Sequence, residues 1–315
     1  MEWAGRPSHL RGVPRKMVFM AVGGFAKVVA SFLNSTSVEN ADTLIGLVRS
    51  RPLGVPLITV SNHMSTLDDP LMWGFHGFPS TDAHLGRWVL AAEDICFKNS
   101  LFSYLFRIGK CIPITRGGGV YQQHMNEALD RLTEGLHTFP EGKVSQEDAS
   151  IRRLKWGTAS LIVRSPVTPI VLPIVHHGFE QYASVTCSAL VSVVHLRKSS
   201  TYPARLTQGL SLTTSAYSAV HAVMPENFMF GRRPLVPLFN KKIRIIVGEP
   251  IEFDLPKVTQ TAISVSRNFS LPLLGWPSTS GGLDEAAQRC LYSTISEKIQ
   301  TAMESLRTLV RSQKA

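Results

Sequence analysis

The chain has 315 residues, 44% of them hydrophobic, a mean hydropathy of +0.06, and 33 Lys and Arg against 23 Asp and Glu, giving a formal net charge of +10 and a pI near 9.7. That length carries one large α/β domain with appendages or two small domains, and the positive excess suits nucleic acid, anionic membrane surfaces or phosphorylated substrates without choosing among them. Cys96, Cys111, Cys187 and Cys290 form no CxxC pair, so neither a disulfide framework nor a zinc site is signalled and a reducing compartment is the default.

Residues 1–38 hold one acid, Glu2, against Arg6, Arg11, Arg15, Lys16 and Lys27. From Met17 to Leu33 the chain is apolar except for Lys27, Ser31 and the pair Gly23-Gly24. The run is short for a spanning helix and carries a charge near its middle. It reads as an amphipathic helix lying in a membrane surface, with a packed first helix and a true span as the other readings. The basic, acid-poor start also carries part of an organelle-targeting pattern. Apolar residues at helical spacing predict a helix over Val38–Arg51. Leu57-Ile58-Thr59-Val60 then predicts a buried strand, followed by the polar loop Ser61–Pro70. In open α/β sheets ligands and catalytic groups collect at such strand ends. His63 and Asp68, five positions apart, can fold back on each other, which fixes the imidazole tautomer and supports an imidazolium. Ten histidines and 23 acids in one chain also produce such an offset by chance, so the pair alone identifies nothing.

Leu71–Phe78 reads as a helix, Pro79–Ala83 as a turn, Trp88–Ala92 as a second buried strand and Ser100–Arg107 as a helix. Gly109 to Gly119 is a short strand, an arginine (Arg116) and a glycine run. Backbone N–H groups and a bidentate guanidinium there suit an anionic group, and a loop with a solvated arginine fits as well. No GK[ST] follows, which disfavours a nucleotide P-loop. Tyr121–Thr133 predicts a helix and Leu136–Phe139 a strand that feeds Pro140-Glu141-Gly142-Lys143. A basic cluster, Arg152-Arg153-Leu154-Lys155, is predicted to open a helix reaching Arg164. Such a cluster suits a phosphorylated substrate or a solvated helix start equally. Pro169–His176 is a buried strand bracketed by prolines.

Residues 181–225 contain no Asp or Glu, are rich in Ser and Thr, and show no sustained period; they read as a low-complexity insertion. Gly231–Pro234 is a basic turn and Lys242–Pro250 alternates like a half-exposed strand. Residues 264–282 read as a Ser/Pro/Gly-rich linker. Leu283–Arg311 is an amphipathic helix that can pack on the body or lie on a membrane.

The pattern of strand, functional loop and helix recurs. On these residues the chain resembles the glycerolipid acyltransferases of the plsC type, most closely their tafazzin-like branch in plants. The HX4D block of that family is matched by His63 to Asp68 within SNHMSTLDDP. Its second block is matched by GKCIPITRG, ending on Arg116; its third by Phe139-Pro140-Glu141-Gly142; its fourth by Thr168–Pro173. Ala91–Phe97 and Arg153–Gly157 match further features of the tafazzin branch. The likeness covers roughly residues 15–180 and 224–255 and breaks at 181–225. Tafazzin-like chains run almost directly from the segment matched by His177–Glu180 to the one matched by Pro225–Asn227. As a hypothesis, the extra stretch is intron-derived or an alternative exon, and a dominant transcript encoding it would refute that origin.

The resemblance implies an α/β fold, a glycerol-phosphate-acyltransferase-like mixed sheet flanked by helices with an N-terminal membrane-associating helix. The expected organisation is a membrane-associating segment over 1–38, an acyltransferase domain over 39–260 that contains the insertion, and a linker with C-terminal helix over 261–315. The implied function is O-acyl transfer to the free hydroxyl of a lysoglycerophospholipid. His63, held by Asp68, is then the catalytic base, and Arg116, Glu141 and Gly142 bind the acceptor. Acyl-CoA is the implied donor, with no bound cofactor or metal. A CoA-independent transacylase acting in cardiolipin remodelling and a non-catalytic basic membrane-binding protein are the alternatives. The implied partners are a phospholipid membrane and lysophospholipid, without nucleic acid, since no nucleic-acid motif is present. The implied location is a membrane surface, mitochondrial before other endomembranes.

Overall fold

The computed structural model describes residues 1–145, 150–179, 240–269 and 283–312. The chain enters through a helix, α1 (Val13–Lys27), that continues as wider turns to Leu33, then strand β1 (Ser35–Glu39) and α2 (Ala41–Ser50). Next come β2 (Leu57–Ser61), the short α3 (Asp68–Leu71), β3 (Trp88–Ala92), α4 (Glu93–Cys96) and α5 (Ser100–Ile108). They are followed by β4 (Cys111–Ile114), α6 (Gln123–Asp130), β5 (Leu136–Thr138), α7 (Gly157–Arg164) and β6 (Ile170–His177). β7 (Lys242–Val247), α8 (Leu255–Phe269) and α9 (Glu285–Ser312) complete the described chain.

The seven strands form one mixed sheet in the order β1-β7-β6-β2-β5-β3-β4. Five strands, β6 through β4 in that order, run parallel; β7 is antiparallel to β6 and carries β1 parallel to itself. Both faces of the sheet are covered, as parallel strands require, and alternate side chains of each strand enter opposite cores. Ile58, Val60, Val171, Val175 and Ile246 face a core completed by α6, α7 and the buried stripe Leu291, Tyr292, Ile295, Ile299 and Met303 of α9. Leu57, Leu172, Ile174, Ile243 and Ile245 face the other core, under α1, α2 and the aromatics Trp73, Phe75 and Phe78. The C-terminal helix therefore packs on the body.

Several predicted boundaries move for physical reasons. The helix expected from Val38 starts at Ala41, because Ser35–Glu39 is an edge strand in register with β7, Ser35 opposite Lys242 and Glu39 opposite Ile246. Its partner lies far along the chain, where no local pattern can show it. The helix expected over Leu71–Phe78 stops at Leu71: Gly74 sits against the Ala26 carbonyl and Gly77 takes φ +86°, outside the helical region. The basic cluster does not open a helix. Arg152 N–H donates to Glu141 and Lys155 N–H to the Pro140 carbonyl, so these amides are spent on the turn after β5 and α7 begins at Gly157. The linker expected from residue 264 starts later, since α8 runs to Phe269. The expected insertion at 181–225 and the basic turn Gly231–Pro234 lie outside the described residues.

Candidate active site

Because β2, β5, β6, β3 and β4 are parallel, their C-terminal ends share one edge, and the polar loops singled out in the sequence gather along it. Immediately after β2, the chain wraps around Asp68. The carboxylate is fully buried, and its Oδ2 accepts from Met64 N–H at 2.6 Å, Ser65 N–H at 3.0 Å and the His63 ring Nδ1 at 2.9 Å. An ionised carboxylate only accepts, so it assigns the proton to Nδ1 and leaves Nε2 as the basic nitrogen. Nε2 has no protein partner among the described residues, and the imidazole keeps 20% of its surface open to solvent. The ring stacks on Phe139 of the next strand's loop, centroids 4.1 Å apart and 20° from parallel. Asp68 on one edge and Phe139 on one face orient the ring, and its side chain stays partly open to solvent.

Glu141 is buried just beyond β5. Its Oε1 accepts from the His63 backbone N–H at 3.2 Å and its Oε2 from Arg152 N–H at 3.3 Å. Burial raises the carboxyl above its ordinary range, and these two N–H groups oppose the shift. Gly142 closes the turn with φ +70°, where a side chain is strained; its N–H donates to Phe139 O at 3.0 Å. Glu141 is thus joined directly to the loop that carries His63, and Gly142 shapes the turn that holds Glu141.

Arg116 follows β4 on the same edge, three strands from β2, about 14 Å along the sheet at about 4.8 Å per strand. It does not touch the His63 cluster. Its guanidinium is 47% exposed and pairs with Asp94 after β3, while Thr115 Oγ donates to Glu93 Oε2 at 2.7 Å. Its ion pair with Asp94 is exposed on both sides, and an exposed pair of this kind is weak enough to be exchanged for a phosphate.

Three residues that the sequence reading passed over belong to the same cluster. Asn62 and His176 are buried and bonded to each other across β2 and β6. His137 on β5 is fully buried between Thr59 Oγ1 at 2.9 Å and Ser61 Oγ at 3.3 Å, and burial, followed by the charge of Arg87, holds its pKa well below the usual imidazole value. The available signal was a histidine inside each of two apolar strands, which is costly unless bonded. Among the described residues no three His, Cys, Asp or Glu side chains converge as a metal centre.

The model of the family described as Acyltransferase matches residues 36–177. Across 319 aligned residues the chain is 58% identical to an Arabidopsis thaliana protein named N-acylphosphatidylethanolamine synthase, with 99% of this chain and 98% of that one covered. It is 46% identical over 177 residues to Tafazzin of Drosophila melanogaster, covering 55% of this chain and 47%, about half, of the fly protein's length. Among solved structures it is similar to the 1-acyl-sn-glycerophosphate (LPA) acyltransferase, PlsC, of Thermotoga maritima, at 16% identity and a TM-score of 0.46 over 93% of this chain and 81% of that one.

Proposed function

This chain belongs to the tafazzin-like branch of the plsC-type acyltransferase family, and we propose that it moves a fatty acyl group onto the free hydroxyl of a lysoglycerophospholipid, with His63 as general base. It is an acyltransferase acting on lipids; the acceptor, the donor and the residue roles are the proposal. The observation that carries it is the buried Asp68 carboxylate holding His63 by Nδ1 and leaving Nε2 without a partner among the described residues.

In this reading the acceptor hydroxyl donates its proton to Nε2 as its oxygen attacks the acyl carbonyl of the donor. The tetrahedral intermediate expels the CoA thiolate, or the alkoxide of a donor phospholipid, and the imidazolium returns the proton to that leaving group. Asp68 stabilises the imidazolium between the two steps. Such proton transfer contributes about 10²- to 10⁴-fold. Arg116 binds the acceptor phosphate after releasing Asp94, and Glu141 with Gly142 holds the floor of the acceptor site beneath His63. CoA-independent transfer between phospholipids uses the same groups.

A second acceptor is favoured by the Arabidopsis relative, whose name states for itself the synthesis of N-acylphosphatidylethanolamine: the amine of phosphatidylethanolamine. The same base would take the proton from the attacking nitrogen.

The substrates place the protein at a membrane surface, and the apolar helical stretch His9–Leu33, long enough to cross a membrane by length and composition, supports that location. A mitochondrial membrane is the tafazzin-like expectation.

The test uses purified full-length protein in mixed phospholipid vesicles, with labelled lysophosphatidylethanolamine or phosphatidylethanolamine as acceptor, with and without oleoyl-CoA, and mass analysis of products. Diacylphospholipid formed from the lysolipid supports hydroxyl acylation. N-acylphosphatidylethanolamine as the sole product replaces it with the amine reading, and absence of both products contradicts acyl transfer to these acceptors.

A further inference from the structure

β2 leaves the sheet one residue after its last pairing, Ser61 opposite Ile174. This departure takes His63 off the ladder, and it strips β6 of its neighbour just where His176 needs one. The Asn62 side chain fills the gap. Its Nδ2 donates to the His176 carbonyl at 2.9 Å and its Oδ1 accepts from His176 N–H at 2.9 Å, so a side-chain amide replaces the missing peptide group of the ladder. The ring of His176 closes the exchange by donating Nε2–H to the Asn62 carbonyl at 2.8 Å. Both residues are buried, Asn62 at 7% and His176 at 1% exposure. Three mutual hydrogen bonds thus hold the residue that immediately precedes His63.

The same ring nitrogen lies 3.6 Å from Asp68 Oδ2, the oxygen that orients His63. The other side of β6 is fixed independently, because His176 is paired with Ile245 of β7. The centre of the sheet is therefore a rigid reference to which the loop is tied. A His buried at the end of an apolar strand has no packing advantage over Leu, and its polar atoms are costly without partners.

We propose that Asn62 and His176 are positioning residues: their reciprocal bonds, with the His176 ring beside Asp68, fix where Nε2 of His63 stands relative to the acceptor. The inference rests on the reading of His63 as the base. A small displacement of a catalytic group costs up to about 100-fold in rate, and it does so without loosening substrate binding.

The experiment measures kcat and acceptor KM of full-length protein with lysophosphatidylethanolamine and oleoyl-CoA, or with whichever acceptor and donor the parent turns over, alongside thermal unfolding. His176→Leu is expected to lower kcat about 10- to 100-fold with KM nearly unchanged. His176→Gln, whose amide nitrogen reaches the place of ring Nε2, recovers most of the loss. Asn62→Leu gives a similar loss, and the double Leu variant is no worse than the single ones, as coupled residues require. If His176→Leu does not fold, Asn62→Asp keeps one of the two amide bonds and turns the other repulsive, and a kcat loss in that folded variant reads the same lock. Unchanged kcat in folded Leu or Asp variants, a loss confined to KM, or failure of His176→Gln to recover activity overturns the inference. His63→Ala separates the two readings. If it abolishes transfer while the lock variants do not, only the lock fails; if it retains transfer, the assignment of the base fails.

Discussion

Asp68 concentrates the chemistry of the site on one oxygen, which takes two backbone N–H groups and the His63 ring while the residue is wholly shielded from water. Asp68→Asn keeps the shape but removes the charge that an imidazolium needs. Acyl transfer is expected to fall about 10²- to 10⁴-fold with little change in acceptor KM; a rate within a few-fold of the parent in a folded Asn variant goes against this role. Glu141 gives a prediction in pH. Burial raises its folded pKa above the ordinary 4.5, so its contribution to stability is greatest below that value and is lost as pH rises through the raised one. Relative to Glu141→Gln, the parent should be favoured most at acid pH and lose ground toward neutrality in paired denaturation curves. A constant difference across that range contradicts the shift. His63 and Asp68 were legible in the sequence because both belong to one loop. Asn62, His137 and His176 were not, because what they touch is decided by sheet order, which places β6 and β5 on either side of β2.

The first helix is legible in part. Composition left surface-bound, packed and spanning readings open, and the structure shows a helix with two different sides. Arg15, Phe19, Gly23, Ala26, Val29 and Ala30 face the body. At Gly23 and Gly74 an added Cβ would overlap the Ser80 and Ala26 carbonyls, so the glycines are what let the helix and the loop after α3 approach so closely. On the outer side Val13, Met17, Met20, Val28 and Phe32 are exposed, Phe32 at 82%. Burying one such side chain is worth about 1.5–3 kcal/mol. Met17→Glu with Phe32→Glu should therefore reduce binding to phospholipid vesicles by more than about tenfold in a flotation assay, leaving unfolding temperature unchanged; undiminished flotation removes the stripe as the membrane contact. By contrast, Val38 and Glu39 at the end of the edge strand β1 fall inside the helix that local spacing predicts, because Ser35–Glu39 becomes a strand only against β7.

At the scale of the whole molecule, one mixed sheet turns loops separated by scores of residues into a single edge: His63 after β2, Glu141 after β5, Arg116 after β4. The order of those loops was readable as recurring strand-and-loop units; their spacing along the edge was not. That spacing puts Glu141 in contact with the His63 backbone and Arg116 three strands away. The formal charge of +10 adds attraction to anionic lipid that salt screens over about 8–10 Å at physiological strength. Vesicle binding should weaken with added salt while the penalty of the double Glu substitution persists, and a binding curve insensitive to salt argues against the electrostatic part. The central claim is that Nε2 of His63 takes the acceptor proton, and the most direct measurement is the initial rate of labelled acyl transfer by His63→Ala against the parent, both full-length and matched in unfolding temperature. The account predicts loss of transfer by at least about 10²-fold, with vesicle binding retained; a folded His63→Ala protein that transfers acyl groups at close to the parent rate contradicts it.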